Sequence, residues 1–160
     1  MRVWFNKTFS SVHSALRLIR KGDTDGRYEL VASNPNPHAL VKTATHQFYE
    51  EPPKVTGAEY IDWCESFCLR NGIDIFIPGK EAALLSDSHE RFRSAGTQIM
   101  SCATRDNLDL IHNKGRFYEV VKCDPAPAPA CIACTSPTEF DAAYARLSAS
   151  HGELCIKPSV

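Results

Sequence analysis

The chain has 160 residues, 43% of them hydrophobic, with 18 basic and 19 acidic side chains and a formal net charge of -1. That length holds one ordinary domain, or one domain and part of another, with enough apolar residues for a core. The balanced charge provides no basic field for nucleic acid, no run of about 18 apolar residues suits a membrane span, and the N-terminus opens on a strand pattern rather than a signal peptide. A cytoplasmic protein is expected, with neither nucleic acid nor membrane as partner.

Arg2-Val3-Trp4-Phe5-Asn6 reads as a short buried strand of a parallel sheet. A helix follows, capped by Ser10 or Ser11, with Val12, Ala15, Leu16 and Ile19 on one face up to Gly22. The turn between them, from Asn6 to Ser11, has no glycine, which disfavours a nicotinamide dinucleotide site and hence a dehydrogenase. Tyr28 to Ser33 is a second strand. Asn34-Pro35-Asn36-Pro37 breaks it, Pro37 can open a short helix through Val41, and Gln47-Phe48-Tyr49 forms a brief third strand.

Thr56-Gly57-Ala58-Glu59 has the form of a capping box, and Tyr60, Trp63, Cys64 and Phe67 then share a helical face that ends at Asn71-Gly72. That aromatic stripe belongs to a core. Ile73 to Pro78 is the strongest strand pattern, followed by a helix over 81–95 with Leu84, Leu85 and Phe92 inward and Gly96 as its stop. Gln98 to Ser101 closes the series as a fifth strand. Strands alternating with helices argue for a parallel sheet with helices on both faces.

Residues 104–122 read as a helical region interrupted near Asn113-Lys114-Gly115, because glycine in a helix interior costs about 1 kcal/mol against alanine. Such a break puts Lys114 in the first turn of a new helix. Pro125, Pro127 and Pro129 make a stiff extended link to a short strand. Ser136-Pro137-Thr138-Glu139 then caps a helix bearing Phe140, Tyr144 and Leu147, with Gly152 as its stop and Glu153 to Pro158 as a last strand containing Lys157.

The seven cysteines are expected to be reduced and mostly buried. Cys64 and Cys68, four apart, suit packing in a helical face. Cys131-Ile132-Ala133-Cys134 has the spacing of half a zinc knuckle, with Cys123 and Cys155 as imaginable partners, but strand residues three apart point to opposite faces, so no metal site is assigned. The six histidines show no spacing for a metalloenzyme or a catalytic triad, and no catalytic residue is assigned.

In order, Asn113-Lys114-Gly115-Arg116-Phe117, the proline-rich turn, a strand, the capped helix and Cys155-Ile156-Lys157-Pro158 resemble the opening of the ATP-grasp superfamily of ATP-dependent carboxylate ligases. The resemblance covers Thr104 to Val160 well and Arg2 to Ala103 more loosely. It implies a pre-ATP-grasp Rossmann-like domain over 1–103 and the first, incomplete part of the ATP-grasp small lobe over 104–160. Lys114 and Lys157 would contact ATP phosphates, and Glu81, three residues after Pro78, would contact an amine-bearing substrate. On local chemistry alone, Glu81 is an acidic residue at a helix N-terminus and Lys114 and Lys157 are surface lysines.

The family continues after its Lys-Pro strand into a glycine-rich loop and a lobe carrying magnesium ligands, which are not in this sequence. The expectation is therefore an N-terminal fragment of an ATP- and magnesium-dependent ligase joining a carboxylate to an amine or thiol through an acyl phosphate, inactive alone. Its partners would be small-molecule carboxylate and amine substrates, with a homo-oligomer left open. The alternative is a non-catalytic α/β ligand-binding or interaction module.

Overall fold

The structure is a computed structural model that describes residues 1–6, 10–101, 103–121 and 130–157. The turn residues Lys7, Thr8 and Phe9, the side chain of Ser10, Cys123, the prolines at 125, 127 and 129, and Pro158 lie outside the described residues. The chain divides into two compact units, Met1–Arg105 and Asp106–Val160.

Unit 1 is built on five parallel strands: β1 (Arg2–Asn6), β2 (Glu29–Asn34), β3 (Gln47–Glu50), β4 (Ile75–Ile77) and β5 (Gln98–Ile99). Their order across the sheet is β3-β2-β1-β4-β5. The central strand β1 pairs Trp4 with Val31 on one side and with Phe76 on the other. Side chains alternate across the sheet, so neighbouring residues feed different cores. Val3, Phe5, Leu30 and Ala32 pack with Leu16 of α1 (Ser10–Gly22) and with Val41 and Ala44 of a 3-10 turn, Leu40–Ala44.

Trp4, Val31 and Phe76 point the other way, onto Tyr60, Cys64, Phe67 and Cys68 of α2 (Gly57–Asn71), Leu85 of α3 (Ala82–Asp87) and Phe92 of α4 (His89–Ser94). Helices thus cover both faces. Trp4 anchors that second core, stacking on Phe76 with ring centroids 4.0 Å apart and tilting against Phe67 at 4.4 Å. Its indole N–H donates to Ser33 Oγ at 2.8 Å, so the ring is buried without an orphaned donor.

Unit 2 contains α5 (from Arg105, the last residue of unit 1, to His112), α6 (Lys114–Val121) and α7 (Pro137–Ser148). The break expected near Asn113 is present: Asn113 Oδ1 accepts the Arg116 N–H at 3.1 Å and opens α6. Ser136 Oγ accepts the Glu139 N–H, and Pro137 occupies the first turn of α7. The Glu139 carboxylate reaches back to the Thr135 N–H at 2.7 Å and the Thr135 hydroxyl at 2.8 Å, which holds its pKa below the usual carboxylate value.

Four expectations are corrected. The single helix over 81–95 is two helices meeting at Ser88, whose hydroxyl bonds back to Leu84 C=O at 3.0 Å and ends α3. Thr56 precedes α2 without a side-chain cap bond. Helix α7 ends at Ser148 rather than at Gly152. No strand forms at 130–134 or 153–157; all five described strands belong to the sheet of unit 1. Ile156 is accordingly 69% exposed. No described helix is long and apolar enough to cross a membrane.

Candidate functional site

The strand order of unit 1 reverses between β1 and β4, and in open parallel sheets the crevice at the carboxyl ends of those strands takes ligands. Asn6 ends β1 there, fully buried. Its Oδ1 accepts the N–H groups of Gly79 and Lys80, and its Nδ2 donates to Tyr60 OH at 2.9 Å and to Lys80 C=O at 3.2 Å. One side-chain amide therefore fixes the loop after β4.

Behind it runs a connected polar chain. Tyr60 OH donates to Glu51 Oε2 at 3.0 Å, and Ser33 Oγ donates to Glu51 Oε1 at 2.9 Å. Glu51 is 3% exposed, so its carboxylate depends on these bonds in place of water. Burial, reinforced by the negative Glu51, pushes the Tyr60 phenol well above its ordinary pKa and keeps it a donor. The ammonium of Lys80 lies 3.8 Å from the Tyr60 ring centroid and donates to Val55 C=O at 2.5 Å.

Glu81 stands at the N-cap of α3 with φ 54° and ψ 31°, a left-handed conformation that a side chain makes costly. Its Oε1 accepts the Gly57 N–H at 3.3 Å. The loop opposite carries Lys54 at φ 67° and Gly57 at φ 60°. Two loops are thus tied together, Lys80 to Val55 and Glu81 to Gly57. Strain of this kind clusters at functional sites. Sequence reasoning singled out the turn Pro78-Gly79-Lys80-Glu81 but gave a role only to Glu81, missed Glu51 and took Tyr60 as core. The available signals were a polar Asn6 ending an apolar strand and a glutamate just before Pro52-Pro53.

In unit 2, Lys114 is the first residue of α6 and half-buried, and its ammonium donates to Ile111 C=O at 3.1 Å. An ammonium has three donors, so two stay available to an anion. Lys157 is exposed on a segment with no regular structure. No described contact joins the two lysines. Among the described residues no group of three His, Cys, Asp or Glu side chains is placed to hold a metal ion.

No family model and no curated protein matches the chain. Solved structures do. A biotin carboxylase domain of a single-chain bacterial carboxylase superposes over 93% of this chain and 35% of its own, with a TM-score of 0.53 at 15% identity. A single-chain, multi-domain long-chain acyl-CoA carboxylase matches over 91% of this chain and 15% of its own, with a TM-score of 0.51 at 19% identity. The biotin carboxylase subunit of a pyruvate carboxylase matches over 91% and 33%, with a TM-score of 0.50 at 16% identity. These likenesses show the fold: a parallel α/β sheet domain like the matched parts of these carboxylase structures. The chain spans about a third of the length of two of these structures and 15% of the other.

Proposed function

We propose that unit 1 is the pre-ATP-grasp domain of an ATP-dependent carboxylate ligase and that unit 2 begins its nucleotide-binding lobe. The observation that carries this reading is the fold likeness to a biotin carboxylase domain over 93% of the chain, across both units. The boundary between the units, at Arg105, falls beside the division at 103–104 that the ATP-grasp resemblance implies.

In the intact ligase, ATP would donate its γ-phosphate to a substrate carboxylate, and an amine or thiol would displace phosphate from the acyl phosphate. Magnesium would offset charge on the phosphates, held by residues outside those described. Lys114, at the start of a capped helix, has the charge and the spare donors to meet a phosphate oxygen. Lys157, exposed and without a fixed partner strand, would be ordered by the nucleotide and the rest of the lobe. Glu81, strained at the switch-point crevice, would accept from the amine of the second substrate. In this reading these residues bind and orient, and none of them is given a catalytic role.

The test is ATP binding by calorimetry together with ATP turnover. Binding that weakens at least about ten-fold in both Lys114→Ala and Lys157→Ala, one lost ion contact each, is expected, with no turnover by the 160 residues alone. Turnover above the Lys157→Ala control would overturn the fragment reading. Binding indifferent to both substitutions would remove ATP from the site and leave the non-catalytic α/β module.

A further inference from the structure

The cysteines that the proposed function leaves unused differ sharply in setting. Cys64 and Cys68 are fully buried in α2, and burial pushes both thiols up, Cys68 to about 12, which keeps them protonated and inert. Cys131 is exposed and Cys134 half-exposed, both as free thiols, three residues apart. The segment from Ala130 to Cys134 carries no helix, strand, turn or bend. Cys134 Sγ lies 3.6 Å from Glu139 C=O in the first turn of α7, which anchors the C-terminal end of the segment.

Between the two cysteines sits Ala133. A Cβ placed on Gly115 would meet Ala133 Cβ at 3.4 Å, so the segment packs directly on the residue after Lys114. An unbent chain separates Cα atoms three residues apart by about 10 Å. A disulfide needs them within about 4.4 to 6.8 Å. Closing a bond between Cys131 and Cys134 must therefore bend the segment, and the bend falls on Ile132 and Ala133.

We infer that Cys131 and Cys134 form a peroxide-sensitive dithiol whose oxidation draws Ala133 off Gly115 and loosens the start of α6. The oxidant is hydrogen peroxide. The exposed Cys131 thiol gives its proton to solvent and its sulfur attacks one peroxide oxygen; the O–O bond breaks, and the departing hydroxide takes a proton back from solvent and leaves as water, with a sulfenic acid left on Cys131. The Cys134 sulfur then attacks the sulfenic sulfur, forming the S–S bond and releasing the second water. Two thiols and one peroxide give one disulfide and two waters, with two electrons passing from sulfur to oxygen. The reverse requires a small thiol or dithiol reductant. Any consequence for nucleotide binding rests on the role proposed for Lys114; the disulfide and the movement do not.

The experiment uses the full chain carrying Cys102→Ser, Cys123→Ser and Cys155→Ser, treated with a small excess of hydrogen peroxide, alkylated and mapped by mass spectrometry. Expected is an internal link between Cys131 and Cys134, seen as the loss of two hydrogens and absent after Cys131→Ser or Cys134→Ser. Limited trypsin cleavage after Lys114 should become several-fold faster on oxidation and recover on reduction. Alkylated, unlinked cysteines after peroxide would overturn the inference, and so would a link that leaves cleavage unchanged or slower. Should that background fail to fold, the wild-type chain is mapped with a protease cutting at acidic residues, since Asp124 separates Cys123 from Cys131.

Discussion

Asn6 and Lys80 are joined twice, the Lys80 N–H donating to Asn6 Oδ1 and the Asn6 amide donating to Lys80 C=O, each at 3.2 Å. The pair works like one extra rung between β1 and the chain leaving β4, made by a side chain where the backbone ladder has ended. Asn6→Asp keeps the shape but removes both donors, and sets a buried carboxylate against Lys80 C=O. It is expected to destabilise unit 1 by about 2–4 kcal/mol, read as a lower urea midpoint with an unchanged slope.

Glu81 and Lys54 both have positive φ, a conformation that glycine adopts freely. Glu81→Gly should leave stability unchanged or raise it by up to about 1 kcal/mol, while Glu81→Val should cost about 1–2 kcal/mol. Thermal unfolding of the two variants beside Lys54→Gly checks this. Equal losses in both Glu81 variants would show that the bond from Gly57 outweighs the strain.

Alkali should weaken unit 1. The pKa values of Tyr60, Cys64 and Cys68 are all raised in the folded chain, chiefly by burial. A raised folded value means that stability is complete below the unfolded pKa and declines above it, here from about pH 9 for the thiols and pH 10 for the phenol. Urea midpoints measured between pH 8 and pH 11 should fall, and Cys68→Ala should flatten the first part of the decline.

Acid should act on α7 instead. Glu139 titrates below its ordinary value of 4.5 because Thr135 donates to it twice, so its contribution is present above that pH and is lost as the pH falls through the lowered value. Amide exchange in α7 should rise on acidification in the wild type and lose that dependence in Glu139→Gln. Ser136→Ala should cost the helix about 1 kcal/mol at any pH.

Much of unit 1 was legible in the sequence because its signals are local. Val3 and Phe5 against Trp4, and Leu30 and Ala32 against Val31, show the alternation of a sheet covered on both faces, and Gly72 and Gly96 stop the chain in left-handed conformations. What escaped were relationships between distant residues. A buried tyrosine reads as apolar until Glu51 and Asn6 are seen at its hydroxyl. The last strand failed for the same reason: Leu154-Cys155-Ile156 has strand composition, but a strand exists only by pairing, and composition cannot say whether a neighbour is present. Lys114 was placed correctly because a helix break with an asparagine cap is written within a few residues. The contact of Ala133 with Gly115 was not, since they stand eighteen positions apart.

At one margin of the sheet β5 has only two residues, Gln98 and Ile99. A strand from another molecule that settled against it would find about one or two ladder bonds, too few to repay the ordering of its own backbone. That margin therefore offers little template for fibrous growth.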